Sequence, residues 1–141
     1  MISFFVHGVP KPQPRMKAFK RGAHAGVYDP GTAGQWQALV AHAARAHRPA
    51  VPLEGPLRVA IDFLLPRPKG LMRKRDPEGE IPHTNRPDRD NLEKAVLDAL
   101  TQDGWWRDDC QVYGGEVRKF YHSKTGVPGA RFVIEQDGVS P

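Results

Sequence analysis

Two pairs of aspartates and one lysine are the residues of this chain whose types and spacing suit a chemical step. Asp88 and Asp90 flank one residue, Lys94 lies one helical turn beyond Asp90, and Asp108-Asp109 follow Gly104-Trp105-Trp106. A site drawn from Asp88, Asp90 and one or both of Asp108 and Asp109 offers hard oxygen ligands only. That set suits Mg²⁺ or Mn²⁺, held by a few carboxylates plus water and a substrate phosphate. Such an ion polarises a phosphodiester and lowers the pKa of an attacking water. Lys94 would steady the charge that develops on the phosphoryl oxygens, or help to place the nucleophile. The same residues also admit a structural reading. Asp90 would then be a helix N-cap worth about 1 kcal/mol, Asp88 a charge favourable to the helix dipole, and Asp108-Asp109 an acidic turn.

The elements that must hold these groups follow from periodicity. Leu92, Ala95, Val96, Ala99 and Leu100 recur at helical spacing, so this segment turns one apolar face to a core. Asp90 is the expected N-cap, with Glu93 three residues later completing a capping-box-like pattern. Pro87 biases Arg86 towards an extended conformation. If Asp88 is extended, Asp88 and Asp90 point the same way, and Lys94 lies on nearly the same face as Asp90. Asp98, two turns from Asp90, reads as the partner of a cation or the cap of a loop. A second helix is expected from Gly31-Thr32 to about His47, with Trp36, Leu39, Val40, Ala43 and Ala44 facing inward. Strands are expected over Ile2–Val9, Leu57–Leu65, Gln111–Tyr121 (interrupted by glycines) and Ala130–Gln136. The order strand, helix, strand, long loop, helix, strand, strand predicts an α+β fold. It would be a single domain over residues 1–141, with a mixed β-sheet and two main helices.

Two connections carry most of the remaining cations. Residues 10–30 read as a Pro- and Gly-rich loop containing Lys11, Arg15, Lys17, Lys20 and Arg21. A basic, adaptable segment suits phosphate contacts, and it equally suits a solvated connection. Residues 66–87 form the longest stretch without a regular pattern, with Arg67, Lys69, Arg73, Lys74 and Arg75 ahead of Asp76, Glu78 and Glu80. Long irregular segments inside small domains are usually functional or mobile. Lys11, Arg15, Lys17, Arg73 and Lys74 are therefore candidate DNA contacts. A formal net charge of +5 favours a polyanionic partner. No apolar run is long enough to span a bilayer and the N-terminus lacks a signal-peptide layout, so no membrane association and a cytoplasmic location are expected. The single cysteine, Cys110, excludes an internal disulfide framework and any Cys-based zinc cluster, and it reads as a small buried residue. Trp105 and Trp106 read as packing under the helix end.

The run from Arg86-Pro87-Asp88-Arg89-Asp90-Asn91 through Lys94 and Asp98 to Leu100, followed by Trp106-Arg107-Asp108-Asp109-Cys110-Gln111-Val112, resembles the signature of the RusA family of Holliday junction resolvases. The opening strand with Gly8-Val9-Pro10-Lys11-Pro12-Gln13-Pro14-Arg15 is similar to that family's basic N-terminal segment. The resemblance implies a small homodimeric endonuclease that binds four-way DNA junctions and nicks two strands symmetrically with Mg²⁺. It implies metal ligation by Asp88, Asp90 and the second acid of the Asp108-Asp109 pair, with Asp109 favoured by spacing, and Lys94 as the catalytic lysine. Lys119 resembles a basic position common in the family and joins the candidate DNA contacts, a surface lysine being the plainer reading. The extended Arg67–Glu80 loop and Trp105-Trp106 depart from the family pattern and leave substrate preference open. The alternatives are a broader nuclease acting on flaps or forks, and a junction-binding protein that does not cut.

Overall fold

Leu57–Leu65 alternates over most of its length, and it becomes the strand around which the sheet is built. In a computed structural model that describes residues 1–14, 17–28 and 32–138, the elements in chain order are these. Strands β1 (Ile2–His7), β2 (Lys17–Arg21) and β3 (His24–Tyr28) precede helix α1 (Gly34–Ala44) and strand β4 (Leu57–Leu65). A short strand β5 (Ile81–Pro82) leads to helix α2 (Arg89–Gln102), and β6 (Val112–Gly114), β7 (Val117–Tyr121) and β8 (Gly129–Gln136) follow.

The main sheet has six strands in the order β1-β8-β4-β7-β5, with β6 also paired to β4. Strand β8 is antiparallel to both β1 and β4, whereas β6 and β7 run parallel to β4 and β5 is antiparallel to β7. The fold is thus the expected α+β domain with a mixed sheet and two helices. Leu57, Val59, Ile61, Phe63 and Leu65 of β4 are at most 4% exposed, because period-two alternation sends them all to one face. They share a core with Phe132 and Ile134 of β8, Trp36 and Val40 of α1, and Leu92, Val96 and Leu100 of α2. Between β6 and β7 stands Gly115, at φ +122°, where a Cβ would lie 2.1 Å from the Val59 carbonyl oxygen. Only glycine lets the chain pass that close to β4.

Several expectations need correction. Residues 10–30 are not a plain loop, since β2 and β3 form an antiparallel ribbon within them. Its two-residue turn begins at Gly22, φ +58°, a conformation that suits glycine and matches the twist of a hairpin. Pro10, Pro12 and Pro14 precede the ribbon and Gly22 makes its turn, while Gly26 lies within β3 opposite Phe19. Leu39 does not face inward: it is 43% exposed, at the rim of α1 over Gly8. Cys110 is exposed rather than buried. Trp105 and Trp106 do pack under the end of α2 as expected, at 0% and 1% exposure, with Trp106 Nε1 donating to Thr101 Oγ1 at 2.6 Å.

The 66–87 segment is also more ordered than its sequence suggests. It contains a 3-10 turn, Lys69–Leu71, and β5. At its start Arg67 is only 8% exposed, with a guanidinium surrounded by backbone carbonyls. Nε donates to Leu71 O at 2.8 Å, Nη2 to Pro77 O at 2.6 Å, and Nη1 to Gly79 O at 3.0 Å and His122 O at 3.4 Å. Among the described residues, no helix is long and apolar enough to cross a membrane.

Candidate active site

The start of α2 differs from the expected cap by two residues. Asp88 is extended, at φ −71° and ψ 146°, and its carbonyl accepts from the Leu92 N–H at 3.2 Å. Accepting the first helical hydrogen bond from an extended conformation makes Asp88 the N-cap, and Asp90 falls in the first turn. The Asp90–Glu93 capping box therefore does not form. Asp90 Oδ1 instead accepts from the adjacent Asn91 N–H at 2.9 Å. Glu93 is half-buried, and burial pushes its pKa up, with the Arg89 charge opposing. Because Asp90 is helical, period-two alternation no longer aligns it with Asp88. Among the described residues, the Asp88 side chain makes no capping hydrogen bond. An aspartate at an N-cap usually stabilises its helix through that bond, so here the carboxylate remains exposed and open to another partner.

Two neighbouring elements hold this corner in place. Lys119 of β7 donates through Nζ to Asn85 O at 2.7 Å and to Pro87 O at 2.8 Å, clamping the turn that leads into Asp88. Arg89 Nη1 reaches Val117 O at 3.3 Å. From the N-terminal arm, the Gln13 N–H donates to Asn91 O at 2.9 Å. Gln37 Nε2 of α1 ties Gln13 Oε1, at 3.2 Å, to Ala95 O, at 3.0 Å.

Along α2, Asp90, Lys94 and Asp98 succeed one another at one-turn intervals on a face open to solvent. Lys94 Nζ lies 3.6 Å from Asp98 Oδ1, so Asp98 is the partner of a cation, as expected. Asp109 stands against this row. Burial pushes its pKa up, the Asp98 charge adds to that, and Lys94 pulls the other way. Asp108 has a different task. It N-caps the 3-10 turn Asp109–Gln111, its Oδ1 accepting from the Cys110 N–H at 2.9 Å, which lowers its pKa. Gln111 Oε1 accepts from the Asp108 N–H at 3.1 Å, while its amide donates to Leu53 O and Gly55 O, both at 3.1 Å. The turn that carries Asp109 is thus fastened to residues 53–55.

Among the described residues, no three His, Cys, Asp or Glu groups are gathered closely enough to form a metal cage on their own. The donor chemistry nevertheless fits a hard divalent ion. Mg²⁺ is characteristically held by one or two carboxylates, with waters and substrate phosphates completing the octahedron. Asp88 and Asp90 are exposed carboxylates of that kind.

The candidate DNA contacts are scattered. Lys11 is exposed and lines a cleft of about 740 Å³ whose wall includes Asp88. Lys17 opens β2, opposite Tyr28. Arg15 lies outside the described residues. Arg73 and Lys74 are exposed on the 66–80 segment, outside that cleft, and Arg73 Nε is 3.4 Å from Asp76 Oδ2. Sequence reasoning missed His83, Arg86, Gln13 and Asn91, which line the cleft with Asp88. A histidine in an unpatterned segment gives no periodic sign that it is buried. Only its position shortly before the acids could have drawn attention to it.

Residues 7–128 match the family described as Endodeoxyribonuclease RusA. Uncharacterized protein YqaN of Bacillus subtilis (strain 168) is 31% identical over 131 residues, covering 89% of this chain and 92% of that protein. Crossover junction endodeoxyribonuclease RusA of Escherichia coli (strain K12) is 47% identical over 49 residues, covering 35% of this chain and 41% of the enzyme. The counterpart from Enterobacteria phage 82 is similar to the same extent. The chain therefore spans less than half the length of these crossover junction enzymes at that level of identity.

Proposed function

Because this chain belongs to the RusA endodeoxyribonuclease family, we propose that it is a metal-dependent endonuclease that resolves four-way DNA junctions by paired, symmetric nicks. The observation that carries this reading is the Asp88 carboxylate, an N-cap acid left uncommitted at the mouth of a helix bearing Asp90 and Lys94. Acids facing DNA repel it unless a cation lies between them, and here they sit on a chain of net charge +5.

Asp88, Asp90 and Asp109 would hold Mg²⁺, which when bound supplies Lewis-acid polarisation of the phosphate and a more acidic water. The protein's own residues do the rest. The Lys119 clamp and the Gln13 bond fix the direction in which Asp88 and Asp90 present their oxygens. Lys94, steered by Asp98, offers an ammonium to the phosphoryl oxygens as their charge grows. Two copies related by a two-fold axis would present two such sites to the two strands of like polarity. Binding would rest on phosphates and junction shape, so affinity should fall steeply with salt.

The test is cleavage of a labelled four-way junction beside flap, fork and linear duplex, with and without Mg²⁺. Wild type should give paired nicks in the junction only with the metal. Asp90→Asn should bind within a few-fold of wild type and cut about 10³-fold more slowly, equivalent to several kcal/mol of lost transition-state stabilisation. Normal cutting by Asp90→Asn would remove that residue from the site. Binding without nicks under every divalent ion would overturn the nuclease reading. Lys94→Ala should lower the single-turnover cutting rate by about 10²- to 10³-fold and leave junction affinity nearly unchanged. A loss of affinity alone would make Lys94 a phosphate anchor instead.

A further inference from the structure

The cleft of about 740 Å³ that Asp88 borders is lined by further groups to which the cutting chemistry described so far gives no part, His83 and Arg86 among them. Its lining mixes apolar groups, Pro10, Pro12 and Pro14 from the N-terminal arm and Leu65-Pro66 from the end of β4, with polar and charged ones. The buried polar group in it is His83. This side chain is only 9% exposed, and its Nδ1 is enclosed without a hydrogen-bond partner among the described residues. The ring is firmly placed. The His83 N–H donates to Lys119 O at 3.0 Å, and Tyr121 packs on the ring with centroids 4.5 Å apart. Burial, reinforced by the Lys119 charge, lowers the His83 pKa. A neutral imidazole has one donor and one acceptor nitrogen. His83 lies on the cleft lining, so its ring offers a hydrogen-bonding edge to a ligand held there. Asn91, on the first turn of α2, adds an amide to the same cleft.

We propose that this cleft receives one unstacked nucleobase adjacent to the scissile phosphate, and that His83 hydrogen-bonds to the edge of that base. The proposal rests on the reading of the α2 acids as the cutting site, because Asp88 forms part of the cleft wall. Apolar walls from three prolines, Leu65 and Pro66, with polar groups placed among them, suit a flat heterocycle with polar edges. Bases taken out of a duplex are held between apolar surfaces and read along their edges, and extrusion is easiest where pairing is already interrupted. A branch point is such a place. Lys11 and Arg86, also on the lining, are suited to the phosphates on either side of the extruded nucleotide.

The test uses four-way junctions with 2-aminopurine at single positions around the branch point, bound to the full-length protein without divalent ions so that nothing is cut. Wild type should produce a severalfold fluorescence rise at one position next to the cutting site. His83→Phe, which keeps the bulk and removes both nitrogens, should abolish most of that rise, and His83→Asn, which restores an amide near Nδ1, should recover part of it. With Mg²⁺, wild type should favour one base at that position by about tenfold, and His83→Phe should reduce the ratio to near unity. If thermal melts show that His83→Phe is unfolded, Asn91→Ala takes its place with the same expectations. No position-specific rise with wild type, or an equal rise with the variant, overturns the proposal. Because the fluorescence is read without cutting, a junction that is bound and never nicked would defeat the nuclease reading while leaving this result to stand or fall separately.

Discussion

Asp109→Asn will lower junction cleavage by about three orders of magnitude, whereas Asp108→Ala will leave cutting within a few-fold of wild type. The two neighbours differ in their local hydrogen bonding. Asp108 closes the 3-10 turn by accepting from the Cys110 N–H, and that bond holds its pKa down. Among the described residues Asp109 makes no such capping bond, and burial together with the Asp98 charge pushes its pKa up, with Lys94 opposing. Opposite effects on stability follow. With its folded-state pKa raised, Asp109 binds a proton more tightly in the native protein than in the unfolded chain. Its ionisation therefore lowers stability as pH rises out of the ordinary carboxylate range through the raised value. Metal-free Asp109→Asn should melt higher than wild type at neutral pH, and the difference should vanish in acid, where the carboxyl is protonated in both states. Asp108 behaves in reverse: its contribution is present above the unfolded pKa and is lost as pH falls through the lowered one. Asp108→Ala should accordingly melt lower than wild type at neutral pH. Melts of both variants from acid to neutral pH, run beside single-turnover cleavage, check all of this. Normal cutting by Asp109→Asn with loss of cutting by Asp108→Ala would exchange the two roles.

Arg67→Met should cost about 3 kcal/mol of stability, by far the largest effect expected from any residue of the 66–80 segment. Methionine matches the length of the Arg67 stem but donates nothing, so the carbonyls of Leu71, Pro77, Gly79 and His122 lose their common partner. Arg67→Lys should recover little of the loss, since a single ammonium cannot reach carbonyls that a planar fork spans. Denaturant melts give the magnitude, and limited proteolysis should find new cuts between residues 68 and 80. A change below about 0.5 kcal/mol, the range of ordinary surface substitutions, would show that the segment keeps its shape without the guanidinium.

How far the sequence could be read depended on whether a residue's role was local and periodic. The core faces of β4 and α2 were legible because alternation and helical spacing are properties of short segments. The row of Asp90, Lys94 and Asp98 was legible because they share one helix, where spacing determines which side chains are neighbours, whereas Asp109 comes from a separate turn. The choice of Asp88 over Asp90 as the cap was not legible, since it depends on where β7 pulls the preceding turn through Lys119. Arg67 looked like one basic residue among several, and its burial depends on carbonyls up to 55 residues away. His83 and the cleft were hidden for the same reason: the arm, the end of β4 and the start of α2 meet only in three dimensions. The β2–β3 ribbon was obscured by the glycine that makes its turn.

The position of β8 bears on how the protein is synthesised. Strands β1 and β4 leave the ribosome first, yet they do not pair with each other; β8 is inserted between them, with Ile2 facing Ile134 and Leu57 facing Gln136. Closing such long loops is slow, and the unpaired edges stay open until residues 129–136 have been made. Helix α2 packs on a core that includes Phe132 and Ile134, so its row of acids and lysine gains a rigid backing only when translation of that last strand is done. A nascent chain would thus carry these acids and the lysine before the surface that holds them is assembled, and the cutting proposed for them would arrive late, as a property of the finished sheet.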